Sequence, residues 1–161
     1  MTGLTPLGIV HTAISLVALG AGIAAFIRHR EISWRTVAGK LYVVTTVLTC
    51  LTGFGIFQHG GFGRAHALGI LTLAVLAAAA AAGRGRLGKF STYLETGGYT
   101  LTFFFHLVPA LTETATRFPA AKPLARGPDD PTLVGAIGAC FVWTLVGVIL
   151  QFLRLRAREG R

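Results

Sequence analysis

Long apolar stretches, separated by short charged or glycine- and proline-rich breaks, divide the chain into five candidate membrane spans at about 5–27, 37–57, 62–82, 93–114 and 132–153. Each approaches the roughly 20 apolar residues that cross about 30 Å of hydrocarbon. The fourth is the weakest, because its unbroken apolar core covers only 99–111, Gly97 and Gly98 precede it and Pro109 is expected to kink its last turns. The piece 87–95 could instead lie at the interface as an amphipathic lead-in. Segment 117–131 holds Pro119, Pro123, Pro128 and Pro131 with Asp129 and Asp130, and is expected to be turn-rich. Asp130 followed by Pro131 is a suitable start for the fifth helix.

The polar positions inside these spans are not scattered. At helical spacing Tyr99, Thr102, Phe103, His106, Ala110 and Glu113 share one face of span four, a pattern that a lipid-facing helix would not carry. Span one aligns Gly8, His11, Ser15, Ala18 and Gly22, a small-residue stripe that permits close helix approach, so His11 is expected to face protein. Span two aligns Gly39, Tyr42, Thr46, Thr49 and Gly53, and in span three His66 shares a face with Gly69. Span five, with Gly135, Gly138 and Gly147 among apolar residues, reads as scaffold.

Composition agrees with a bilayer environment: 53% of the 161 residues are hydrophobic and only 13% are charged, with a mean hydropathy of +0.65. A water-exposed domain of this size could not bury so much apolar surface. The net charge of +9 does not point to nucleic acid, since the basic residues sit in short blocks between apolar runs. Arg28, Arg30, Arg35 and Lys40 fall in the first connection, Arg84, Arg86 and Lys89 in the third, and Arg154, Arg156, Arg158 and Arg161 in the tail. The opposite side has Arg64, Arg117, Lys122 and Arg126. The positive-inside rule then places the N-terminus outside and the C-terminus in the cytoplasm, as five crossings require. The first residues lack the positive region of a signal peptide and are expected to remain as the first span. The expected fold is therefore an all-α, integral membrane five-helix bundle forming one domain over 1–161, in a bacterial inner membrane. Cys50 and Cys140 lie in apolar runs and suit no CxxC motif; a disulfide between them would require their helices to touch.

On this topology His11, His66 and His106 lie about 6 to 8 Å from the outer ends of their spans by the standard helical rise. Ionisable groups inside a membrane are costly and usually mark function. His59, in the short outer loop, could be an auxiliary, whereas His29 belongs to the cytoplasmic side. Two chemistries use facing intramembrane imidazoles. Bis-imidazole ligation of haem b suits His66 with His106 or His11, near Gly63, Gly69, Phe103, Phe104 and Phe105. A small copper or zinc site could use His11, His66 and His106 with Glu113, although Glu113 alone also reads as a solvated rim carboxylate. Structural or proton-handling roles for the trio stand beside these. The corresponding functions are a redox or metal-binding membrane protein with a membrane redox partner, a proton-linked transporter or small-molecule binding protein, or a non-catalytic accessory subunit of a larger complex or homo-oligomer. No nucleophile triad, phosphate-binding loop or paired-carboxylate hydrolase pattern is present.

Trp34, Arg35, Gly39, Lys40 and Tyr42 at the start of span two, followed by Gly53-Phe54-Gly55 and His66-Ala67-Leu68-Gly69, carry a resemblance. They resemble an uncharacterised bacterial family of predicted multispan membrane proteins in which (His/Trp)-Arg, Gly-(Arg/Lys) and Tyr recur in that order. The resemblance covers the first half of the chain and implies a membrane bundle, with no activity to transfer. In architecture alone the chain is also similar to small b-type membrane cytochromes, whose full histidine ligand pattern it does not reproduce. A second haem on the inner side is not expected, because no span carries a histidine in its inner half.

Overall fold

The computed structural model describes residues 5–57, 61–85, 87–88, 90–117, 119 and 122–160, with the side chain of Glu159 excepted. His59, Arg86, Lys89 and Arg161 lie outside the described residues. The described chain is all-helical, in the order α1 Pro6–His29, α2 Val37–Gly53, α3 Arg64–Ala82, α4 Phe90–Arg117 and α5 Pro131–Glu159.

Local chemistry sets most of the ends. Thr5 caps α1 by accepting from the Gly8 amide at 3.1 Å, with Pro6 in the first turn where its missing N–H costs nothing. Arg30, at φ 62°, ends α1 in the left-handed region, and its amide returns to the Phe26 carbonyl at 2.9 Å. Thr36 caps α2 by accepting from the Gly39 amide at 3.0 Å. The chain turns at Phe54, so α2 stops at Gly53 and not at Phe57 as the apolar run suggested. The larger difference concerns α4, which starts at Phe90 and runs without interruption through Gly97, Gly98 and Pro109 to Arg117. Gly97 and Gly98 act as contact points and do not break the helix. A Cβ on Gly98 would come within 2.8 Å of Ala79 on α3, and one on Gly97 within 3.0 Å of Phe152 on α5. Residues 90–95 therefore belong to the bundle rather than to an interfacial lead-in, and Ser91 is buried there, accepting from the Leu87 amide at 3.0 Å.

Helices α1 to α4 form a ring in which α1 packs on α2 and α3 on α4, with lighter contacts between α2 and α3 and between α1 and α4. The backbones of α2 and α4 stay apart across the middle, and long side chains bridge them. Gly22 lets α1 approach this centre: a Cβ there would meet the Phe103 ring at 2.6 Å and Tyr42 at 3.2 Å. Phe103 also meets Phe26 edge-on at 5.1 Å. Helix α5 packs along α4, touches the end of α1 through Gln151 and the Arg30 carbonyl, and leaves its glycines 135, 138 and 147 facing open space. Cys50 and Cys140 are both free, as helices that do not pack on one another require.

Three helices, Pro6–His29, Arg64–Ala82 and Pro131–Arg158, are long and apolar enough to cross a membrane, and Val37–Gly53 is a shorter apolar helix. Their outward sides are apolar: Ile27 is 76% exposed and Trp143 75%. Such a surface matches a lipid environment and not water.

Asp130 caps α5 as its sequence suggested, accepting from the Thr132 amide at 2.9 Å and from the Arg126 amide at 3.0 Å. These bonds, the Arg126 amide foremost, hold its carboxyl below the usual carboxylate range. A carboxyl depressed in the folded state stabilises fully above its unfolded pKa, and that contribution is lost as pH falls through the folded value. Protection of the amides in the first turn of α5, taken relative to their intrinsic exchange rates, is therefore expected to fall on acidification below the ordinary aspartate range, and Asp130→Asn should weaken this response. Equal pH dependence in wild type and variant would contradict the assignment.

Candidate functional site: a polar face inside the bundle

The polar face of α4 points into the ring. Tyr99 is 1% exposed, Thr102 0% and His106 7%. Opposite it α2 presents Tyr42, Thr46 and Thr49, all buried, and the two faces join twice: Tyr42 to Thr102 at 2.9 Å and His106 Nε2 to Thr46 Oγ1 at 3.0 Å. The bonds have a definite direction. Thr46 donates its one proton to the Tyr42 carbonyl at 2.7 Å, and Thr102 donates to the Tyr99 carbonyl at 2.8 Å. Each hydroxyl is thus left to accept across the bundle, so Tyr42 donates to Thr102 and His106 donates through Nε2–H. Neutral His106 keeps its proton on Nε2 and leaves Nδ1 as an acceptor. The Tyr42 ring lies edge-on to the imidazole at 6.0 Å.

His11 follows the same logic near the other end of α2. Thr52 donates to the Leu48 carbonyl at 2.8 Å, so its oxygen accepts from His11 Nδ1–H at 3.1 Å. Gly53 makes room for the ring, since a Cβ there would stand 3.1 Å from His11 Cε1. One turn further in, Ser15 donates to the His11 carbonyl at 2.8 Å and lies 3.5 Å from Thr49. His11 is within electrostatic reach of both His106 and Glu113. Thr46 and Thr52 are six residues apart, which sets the two imidazole anchor points about 9 Å apart along the helix.

His66 stands elsewhere. It faces α2 from α3, stacked on Phe57 at 5.0 Å and on Phe54 at 6.5 Å, with Phe62 tilted against it at 5.4 Å. Its Nδ1 accepts from the Gly63 amide at 3.3 Å and so closes the first turn of α3, while Nε2 is buried without a partner. Glu113 pairs with Arg117 at 2.5 Å on the exposed rim. The sequence-predicted set is therefore split, with His11 and His106 in one interior, His66 in a phenylalanine cage and Glu113 committed to an arginine. Among the described residues no group of three or more His, Cys, Asp or Glu side chains is placed to hold a metal ion, so His11, His66, His106 and Glu113 are not brought together as one cluster.

The imidazoles expected to ligate haem stand in different surroundings. Nε2 of His66 is a buried ring nitrogen without a partner, whereas Nε2 of His106 is hydrogen-bonded to Thr46. Two cavities, of about 540 and 700 Å3, are lined by neither His66 nor His106.

Two polar residues were not singled out from sequence. Glu95, 6% exposed, continues the α4 face one turn beyond Tyr99, and Gly83 at the end of α3 leaves space for it: a Cβ there would stand 2.9 Å from the carboxylate carbon. The i, i+4 step from Tyr99 back to Glu95 was the available signal, hidden by the glycine pair between them. Gln151 of α5, 8% exposed, accepts from Thr100 at 2.9 Å and donates to the Arg30 carbonyl at 3.0 Å, tying the end of α1 to α4. A lone amide in an otherwise apolar span was its signal. From Glu95 to Glu113 the α4 face covers eighteen steps, or about 27 Å by the helical rise, close to the thickness of a bilayer core.

Comparison with protein-family models, with curated proteins and with solved structures finds no match for this chain.

Proposed function

We propose that this chain is a multi-pass inner-membrane protein, crossing five times with its N-terminus outside, that moves or binds small molecules in a proton-linked manner along the interior α4 face. The observation that carries the reading is the length and composition of that face. Glu95, Tyr99, Thr102 and His106 are buried at consecutive turns, and Glu113 stands exposed at the far end. Buried ionisable groups of this kind are retained in membranes at functional sites. Helix α2, 17 residues long, is near the lower limit for a span, and the polar face of α4 is sheltered by the ring. The bias of eleven of the fifteen Lys and Arg residues toward one side supports the orientation. His106, with one nitrogen fixed by Thr46 and the other free to accept, is the group suited to take up and release a proton.

Uptake into proteoliposomes under an imposed pH gradient, over a broad panel of organic cations, anions and neutral solutes, tests this. Gradient-driven uptake of at least one solute, with its pH dependence flattened by His106→Leu, is expected. No uptake across the panel would overturn it. The redox reading is separated by one absorption spectrum: a Soret band that shifts on dithionite reduction would install haem ligation by the histidines in its place.

A further inference from the structure

A cavity of about 700 Å3 opens between α2, α3 and α4 at the end of the bundle that carries the first and third connections. Its walls are largely apolar, with Val43, Val47, Leu73 and Leu76 among them; Glu95 and Tyr99 reach it from within, and Arg35 and Arg84 line its exposed edge. Both are more than nine-tenths buried, and among the described residues neither side chain makes a hydrogen bond or an ion pair. This volume lies within the range of small-molecule sites, and an apolar pocket with a few convergent polar groups is their usual form.

The buried carboxylate indicates the ligand. A carboxylate in an apolar wall is costly unless a positive charge meets it. Glu95 moreover abuts Gly83 at the C-terminal end of α3, where the helix dipole is negative and adds to the demand for a cation. Arg35 and Arg84 stand exposed at the rim; Arg35 is within electrostatic reach of Glu95, but among the described residues neither arginine forms an ion pair with it. A small inorganic cation would want several oxygen ligands and finds one carboxylate and one phenol. Trp34 at the mouth and Tyr99 within offer aromatic faces to a positive charge, while the aliphatic walls accept hydrocarbon.

We infer that this cavity binds a lipophilic organic cation, its charge on the Glu95 carboxylate and its apolar body against α2 and α3. The inference rests on the transport reading for its physiological meaning, but binding can be measured without transport. Equilibrium dialysis of the full chain in mild detergent against tritiated tetraphenylphosphonium should show saturable binding near one per chain. Glu95→Gln should weaken it tenfold or more, and Ala77→Phe, which fills the cavity from α3 while leaving the carboxylate in place, should do the same. Helical circular dichroism and monodisperse elution establish that each variant is folded. Undiminished binding in folded Glu95→Gln would overturn the site, as would preferential saturable binding of laurate, which would assign the cavity to the rim arginines. Retained cation binding in a protein without gradient-driven uptake would sink the transport reading alone. Gradient-driven uptake with Glu95→Gln silent in both assays would sink this site alone.

Discussion

Thr46→Val is expected to destabilise the protein more than His106→Leu, although the two changes remove the same hydrogen bond. The asymmetry follows from which atom is left behind. Thr46 spends its proton on the Tyr42 carbonyl, so losing His106 deprives it only of an incoming donor. Interhelical hydrogen bonds in membranes average about 0.6 kcal/mol, and the loss in His106→Leu should be of that order. In Thr46→Val the Nε2–H of His106 remains buried in the ring with no acceptor, a penalty of about 1 to 3 kcal/mol. Reversible unfolding in mixed micelles, followed by circular dichroism, measures the difference. Equal losses, or a greater loss in His106→Leu, would show that the proton sits on the other nitrogen.

Gly39→Ala is expected to cost about 3 kcal/mol or more, at the upper end of overpacking effects, because the new methyl would land on backbone. The Cβ direction at Gly39 points into the carbonyl of Ser33. That carbonyl cannot withdraw easily, since it accepts from both the Thr36 amide and the Thr36 hydroxyl at 3.1 Å each. The same turn sets Ile32, fully buried, into the core. The two ends of the connection would have to separate, loosening the α1–α2 pair. Gly20→Ala, at a position with nothing near the missing Cβ, serves as the control. A Gly39→Ala protein as stable as the control would contradict the packing of the turn.

Much of this arrangement was legible in the order of residues. The inward faces of α2 and α4 follow from helical spacing alone, because polar groups gathered at i, i+3 and i+4 need a protein neighbour in lipid. The small-residue stripe of α1 likewise predicted its close approach at Gly22 and the inward position of His11. What spacing could not give was rotation about the bundle axis. Depth along a span placed His66 beside His11 and His106, yet α3 turns it toward Phe54 and Phe57, and its Nδ1 serves the first turn of its own helix. Haem or metal ligation requires convergence of the rings, which depth does not encode. The glycine pair before Tyr99 misled in a second way: glycine weakens an isolated helix, but within a packed bundle it admits Ala79 and Phe152, and α4 gains a further turn that buries Glu95.

On the proposed function, solute and protons reach the interior α4 face while lipid does not. Single cysteines at Ala110→Cys, His106→Cys and Ile149→Cys, each in a background carrying Cys50→Ser and Cys140→Ser, allow a direct test in oriented proteoliposomes. A membrane-impermeant maleimide added on the side of Glu113 should label the first two positions and leave the third, on the lipid-facing surface of α5, unmodified. Labelling of Ala110→Cys and His106→Cys no greater than that of Ile149→Cys would contradict the account.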